Sequence, residues 1–116
     1  MLDYGRLNIR ITKLIDDGVV NKSIGVAVRA MPVAIQSVNY HATQYGVSLE
    51  QAQLFIDNAE VMFEQKNSRR MYLSYDGSAT VLVEQGRLIS AYGKDRFDDG
   101  IKSIIEVIED EKEHTT

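Results

Sequence analysis

The sequence contains no cysteine, so disulfides, zinc–thiolate sites and a cysteine nucleophile are all excluded. Tryptophan is absent as well, and proline occurs once, as Pro32. There are two histidines, His41 and His114, far apart in the chain and the second in a polar tail. Such a pair makes a poor metal site, and no metal or other cofactor is expected. No apolar run approaches the roughly 20 residues of a membrane-spanning helix, and no signal peptide opens the sequence. A phosphate-binding glycine loop and a dinucleotide fingerprint are both missing. Adjacent carboxylates such as Asp16/Asp17 and Asp98/Asp99 do not face one another on a helix. They read as caps and solvated charge rather than as an acid–base pair.

What is there fits one globular domain: 116 residues, 44% apolar and 26% charged, enough for a single core. The net charge of −4 at first argues against nucleic acid, but the charge is unevenly spread. Residues 98–116 hold seven acids and two bases, which leaves eleven bases against ten acids in residues 1–97. Lys66, Arg69, Arg70, Arg87, Lys94 and Arg96 fall in a stretch whose acids are Asp76, Glu84 and Asp95. A local basic face and a set of solvated strand ends both fit that pattern.

Along the chain, Leu7, Ile11, Leu14 and Ile15 recur at helical spacing and predict an amphipathic helix over 5–17, stopped by Gly18. Residues 21–31 are ambiguous: Ile24, Val26 and Val28 alternate as in a strand, while the small residues between them suit a closely packed helix. Pro32 fits the first turn of a helix over 32–45, ended by Gly46, with Ala34, Ile35, Val38, Ala42 and Tyr45 as its apolar stripe. His41 then falls at the margin of that stripe, between core and solvent, where catalytic and structural histidines both occur. Ser48 and Gln51 form a capping box for a short helix to about 58. Residues 61–63 predict a brief edge strand.

Three strands joined by the tight turns Asp76-Gly77 and Gln85-Gly86 are expected over 69–92. Leu88, Ser90 and Tyr92 are expected on one face of the last strand. A final helix over 98–110 buries Ile101, Ile104, Ile105 and Ile108, and a polar tail over 109–116 is expected to fray. The expected class is therefore α+β: amino-terminal helices packed on a small antiparallel sheet of three to four strands, closed by a carboxy-terminal helix. The expected organisation is a single domain over 1–116, with an amino-terminal helical extension (1–31), a core (32–110) and a polar tail (111–116).

One arrangement goes beyond composition. His41-Ala42 on a helix is followed by Gly46-Val47-Ser48 leading a second helix, then by a meander of short strands. The hairpin ends in Gly-Arg-Leu-Ile-Ser-Ala-Tyr (86–92), and an acidic, isoleucine-rich helix follows. From His41 onward, over about 39–108, this resembles the barnase–EndoU–colicin–RelE superfamily of small ribonucleases, found as toxin domains of bacterial polymorphic toxins and in phage proteins. Its members often carry a His-Ala pair on the first helix and a Ser or Thr in the strand after the glycine turn, matching His41, Ala42 and Ser90. The EndoU branch uses two active-site histidines and this chain lacks the second. The tRNA-cleaving colicin-like branches, which rely on basic, hydroxyl and aromatic groups, are the nearer pattern.

The resemblance implies metal-independent cleavage of tRNA or other RNA through attack of a 2′-hydroxyl. It also implies a cytoplasmic site of action, delivery as part of a larger secreted protein, and a cognate immunity protein as partner. Such chemistry needs a base, an acid and donors for the phosphorane charge. His41 can serve as acid or base, because an imidazole changes charge near neutral pH. Arg70 can fork a phosphate, and Ser90 and Tyr92 can hydrogen-bond it, which makes these four the expected catalytic set. Lys66, Arg69, Arg87 and Lys94 are the expected RNA-binding cations, and Tyr72 an expected base-stacking ring. The competing reading is a non-catalytic protein-interaction module with a similar α+β core, favoured by the acidic balance and the missing second histidine.

Overall fold

The computed structural model describes residues 2–114, and the fold is α+β, with three α-helices and a six-stranded, mostly antiparallel sheet. In chain order the elements are α1 (Tyr4–Asp16), β1 (Val26–Arg29), β2 (Ser37–Val38), α2 (Leu49–Asn58), β3 (Val61–Glu64), β4 (Arg69–Leu73), β5 (Ala79–Glu84), β6 (Arg87–Gly93) and α3 (Asp99–His114). Across the sheet the strands run β1-β3-β4-β5-β6-β2, every pair antiparallel except β2 with β6.

Each helix begins where a short polar side chain can take an orphan amide. Asp3 accepts from the Arg6 N–H at the start of α1. Ser48 and Gln51 exchange both bonds of the expected capping box at the start of α2. Asp98 accepts from the Ile101 N–H at the start of α3.

Two cores lie on opposite faces of the sheet. On the first face, Leu7 and Ile11 of α1 and Ile104, Val107 and Ile108 of α3 pack with Phe63, Met71 and Leu73. On the second, Ala52 and Ile56 of α2 and Ala42 and Val47 pack with Met62, Tyr72, Val81 and Leu88. Period-two alternation along β3, β4 and β5 is what divides their side chains between the two.

The sheet is larger than the expected three to four strands, for identifiable reasons. Residues 26–29, left ambiguous by the sequence, form β1, so part of the 1–31 stretch is sheet rather than helical extension. Gly25 allows this join: its φ is +85° and a Cβ there would lie 1.9 Å from the Glu64 carbonyl oxygen. β3 pairs on both sides, with β1 and β4, and is not an edge.

The helix expected over 32–45 does not form. Residues 30–36 form neither helix nor strand, β2 follows, and 40–45 are turns. The open edge of β6 offers backbone acceptors that the segment's N–H groups take in place of carbonyls within a helix. The Gln36 N–H donates to the Gly86 carbonyl at 2.8 Å and the Asn39 N–H to the Leu88 carbonyl at 2.8 Å. Gln53 of α2 then clamps the segment, donating to the Val33 carbonyl and accepting from the Ile35 N–H. Ala34 and Val38 of the supposed stripe are exposed.

At the other terminus, α3 continues to His114 instead of fraying after Ile108. Glu111 accepts from Arg6 at 3.0 Å and from Arg10 at 2.8 Å, and Asp110 pairs with Arg10, which ties the last turns of α3 to α1. Of the expected polar tail, residues 115 and 116 lie outside the described residues.

Candidate functional site

The expected catalytic residues occupy three different places. Arg70 and Tyr72 alternate with Met71 and project to the second face, Arg70 opposite Val83 and Tyr72 opposite Val81 in the register with β5. Ser90 and Tyr92 pair with Leu82 and Thr80 and project to the first face. Leu88 does not join them. A bulge at Ile89 shifts the register between Leu82 and Val83 and turns Leu88 into the second core, correcting the expected one-face pattern of β6. His41 is exposed on the turn after β2, not at the margin of a helix. Its turn flanks β6: Tyr45, four residues on, meets Tyr92 edge-on at 6.2 Å between ring centroids.

Tyr72 cannot stack a base as expected. It is fully buried, and its hydroxyl donates to the Met31 carbonyl at 2.6 Å. Burial pushes its phenol above the usual pKa, against the pull of neighbouring Arg70.

The basic residues fare differently. The register pairs Arg69 with Glu84, Glu84 with Arg87, and Glu64 with Arg70. Lys66 lies in the connection between β3 and β4. Lys66, Arg69, Arg70 and Arg87 therefore gather at one end of the sheet, with Glu64 and Glu84 as the neighbouring acids. Lys94 follows Gly93 at the far end of β6, roughly 20 Å away at about 3.3 Å per residue, and does not belong to this group.

Within the group, Arg69 is engaged by Glu84 at 3.5 Å. Arg70 makes no ion pair among the described residues. It lines a recess of about 320 Å³ with Val33, Ser68, Val83, Gln85 and Gly86. The Gln85-Gly86 turn, with φ of 52° and 79°, is the two-residue hairpin expected from the sequence. A guanidinium with spare donors beside a hydroxyl and a turn backbone is chemically suited to a phosphate.

A larger groove of about 770 Å³ crosses the first face between Met71, Thr80, Leu82 and Tyr92 on its floor and Val20 and Ile104 on its wall. The Thr80 hydroxyl is buried there without a partner among the described residues. Lys22 stands against Asp98 and Asp99 around this groove, so an anion would meet more negative than positive charge. Of the expected site residues, only Tyr92 lines it. No group of three or more potential metal ligands occurs among the described residues, and no helix is long and apolar enough to cross a membrane.

Sequence reasoning missed Tyr40 and Asn39. Tyr40 is 90% exposed and contacts His41 edge-on at 4.5 Å. Asn39 Oδ1 accepts from the Arg87 guanidinium at 3.2 Å, which brings the His41 turn to the basic end of the sheet. The available signal was that Tyr40, an aromatic residue, falls off the apolar stripe of the supposed helix. Compared with protein-family models, curated proteins and solved structures, the chain matches none.

Proposed function

We propose that this domain binds single-stranded RNA through the basic end of its sheet. The observation that carries this reading is Arg70, a half-buried guanidinium with no carboxylate partner among the described residues, lining a recess beside the Gln85-Gly86 turn. Lys66 and Arg87, both exposed, flank it at the same end and supply further charge to a phosphate chain. Four cations against Glu64 and Glu84 leave this end positive on an acidic protein. The choice of RNA follows from the ribonuclease resemblance of the sequence, and the geometry favours binding over cutting, because Arg70 and the Ser90/Tyr92 pair face opposite sides of the sheet.

A second reading has one observation in its favour. The Tyr45–Tyr92 contact keeps the His41 turn alongside the strand that carries Ser90 and Tyr92. On that reading the domain is a metal-independent ribonuclease acting with His41, Ser90 and Tyr92, as in a toxin domain countered by an immunity protein.

Two measurements on the purified protein separate these. Fluorescence anisotropy with a labelled single-stranded oligoribonucleotide should show saturable binding that Arg70→Ala weakens; no binding by the wild type sinks the proposal. Incubation with total RNA in EDTA, followed by gel analysis, should leave the RNA intact. Cleavage abolished by His41→Ala would establish the second reading instead.

A further inference from the structure

We propose that Tyr40 and Arg87 form a clamp for one unpaired nucleotide, the Tyr40 ring stacking on the base while the Arg87 guanidinium takes an adjoining phosphate. This rests on the RNA-binding reading above and names the feature that would make the site select single strands.

The clamp is built around Asn39. Its backbone N–H donates to the Leu88 carbonyl at 2.8 Å, anchoring it to β6, and its own carbonyl accepts from the Ala42 N–H at 3.0 Å, closing the turn. Its side-chain oxygen accepts from two donors at once, the Tyr40 N–H at 2.9 Å and Arg87 Nη2 at 3.2 Å. One oxygen thus ties the backbone of the exposed ring to the exposed cation. The backbone that carries the ring and the strand residue that carries the cation are thus held next to each other, so less ordering of the backbone is needed when a ligand arrives.

The chemistry of each half fits a nucleotide. Tyrosine usually buries most of its ring, yet Tyr40 is 90% exposed. Its contact with His41 has rings inclined at 83°, and an edge-to-face contact leaves at least one face of the tyrosine open. An open aromatic face is what an unstacked base occupies, and any base will do, because each has a π-face. Arg87 spends one donor on Asn39 and makes no ion pair among the described residues, which leaves its other N–H groups for phosphate oxygens. Bases in a duplex are already stacked on both sides and present no face to Tyr40. The predicted ligand is therefore single-stranded nucleic acid with at least one free base, and duplex should bind only through its phosphates.

The test is anisotropy at fixed salt with three labelled probes: a mixed-sequence single-stranded oligoribonucleotide, the same strand with abasic sites, and a blunt duplex. Tyr40→Ala should weaken binding of the intact strand by roughly five-fold to a hundred-fold, the span of a lost base–aromatic stack. Tyr40→Phe should retain affinity. The abasic strand should bind wild type and Tyr40→Ala alike. The exposure of Tyr40 means that both variants keep the fold, which circular dichroism checks. If Tyr40→Ala binds the intact strand as well as wild type, or the wild type binds the abasic strand as tightly as the intact one, the clamp is wrong while the basic-end reading stands. If the wild type binds none of the three probes, the basic-end reading and the clamp fall together.

Discussion

The carboxamide of Asn8 holds both backbone groups of Ala27. Its Nδ2 donates to the Ala27 carbonyl at 2.8 Å, and its Oδ1 accepts from the Ala27 N–H at 2.9 Å. Asn8 thus does for β1, at the edge of the sheet, what a neighbouring strand would do. An uncovered edge is a template for pairing with another chain. Asn8→Ala should destabilise the domain by about 1–3 kcal/mol and promote concentration-dependent association. Urea titration and sedimentation velocity check the two effects. An unchanged midpoint with a monodisperse variant would show that α1 does not protect this edge.

Ile104 is 1% exposed and sits in the core that joins α1, α3 and the first face of the sheet. Ile104→Ala should destabilise by about 2–5 kcal/mol, read from a denaturant titration. A loss under about 0.5 kcal/mol would mean that α3 does not pack as described.

Acid should loosen the α1–α3 contact. Glu111 is 1% exposed, and hydrogen bonds from Arg10 and then Arg6 hold its carboxyl below the usual glutamate pKa. The folded pKa is depressed, so the contribution is fully present above the unfolded value, about 4.3, and is lost as pH falls through the lowered folded value. Asp110, lowered by its hydrogen bond from Arg10, acts with the same sign. The urea midpoint should therefore fall below about pH 4, and Glu111→Gln should flatten part of that fall. Superimposable pH profiles for variant and wild type would remove Glu111 from the account.

The parts of this fold that the sequence made legible are those governed by local pattern. The Leu7/Ile11 and Ile104/Ile108 spacings, the Ser48–Gln51 box and the two glycine turns each specify their element through neighbours a few residues away. Residues 30–45 were not legible, because the partners that decide them are distant: Gly86 and Leu88 carbonyls at the edge of β6, and Gln53 on α2. The bulge at Ile89 was equally hidden, and it alone moves Leu88 to the face opposite Ser90. For the site, the sequence showed a stretch rich in cations, and only the register separates Lys66, Arg69, Arg70 and Arg87 at one end of the sheet from Lys94 at the other. Neither the division of Arg70 from Ser90 between faces nor the Asn39 bridge could be seen without the register.

The cations at the basic end should not be equivalent. Arg69 already answers Glu84, whereas Arg70 and Arg87 have no carboxylate partner among the described residues. Single substitutions to glutamine should weaken RNA binding more at Arg70 and Arg87 than at Arg69, and Lys94→Gln, at the other end of β6, should leave it unchanged. Equal losses at all four positions in anisotropy titrations would point to diffuse charge rather than a site.

If the phosphate chain of RNA lies on this end of the sheet, its affinity must fall as salt rises. Each phosphate neutralised on a single strand contributes about 0.7 to the slope of log affinity against log salt. Three available cations, Lys66, Arg70 and Arg87, predict a slope near −2, and Arg70→Gln should reduce its magnitude by about 0.7. A slope near zero, or one that Arg70→Gln leaves unchanged, would contradict the account.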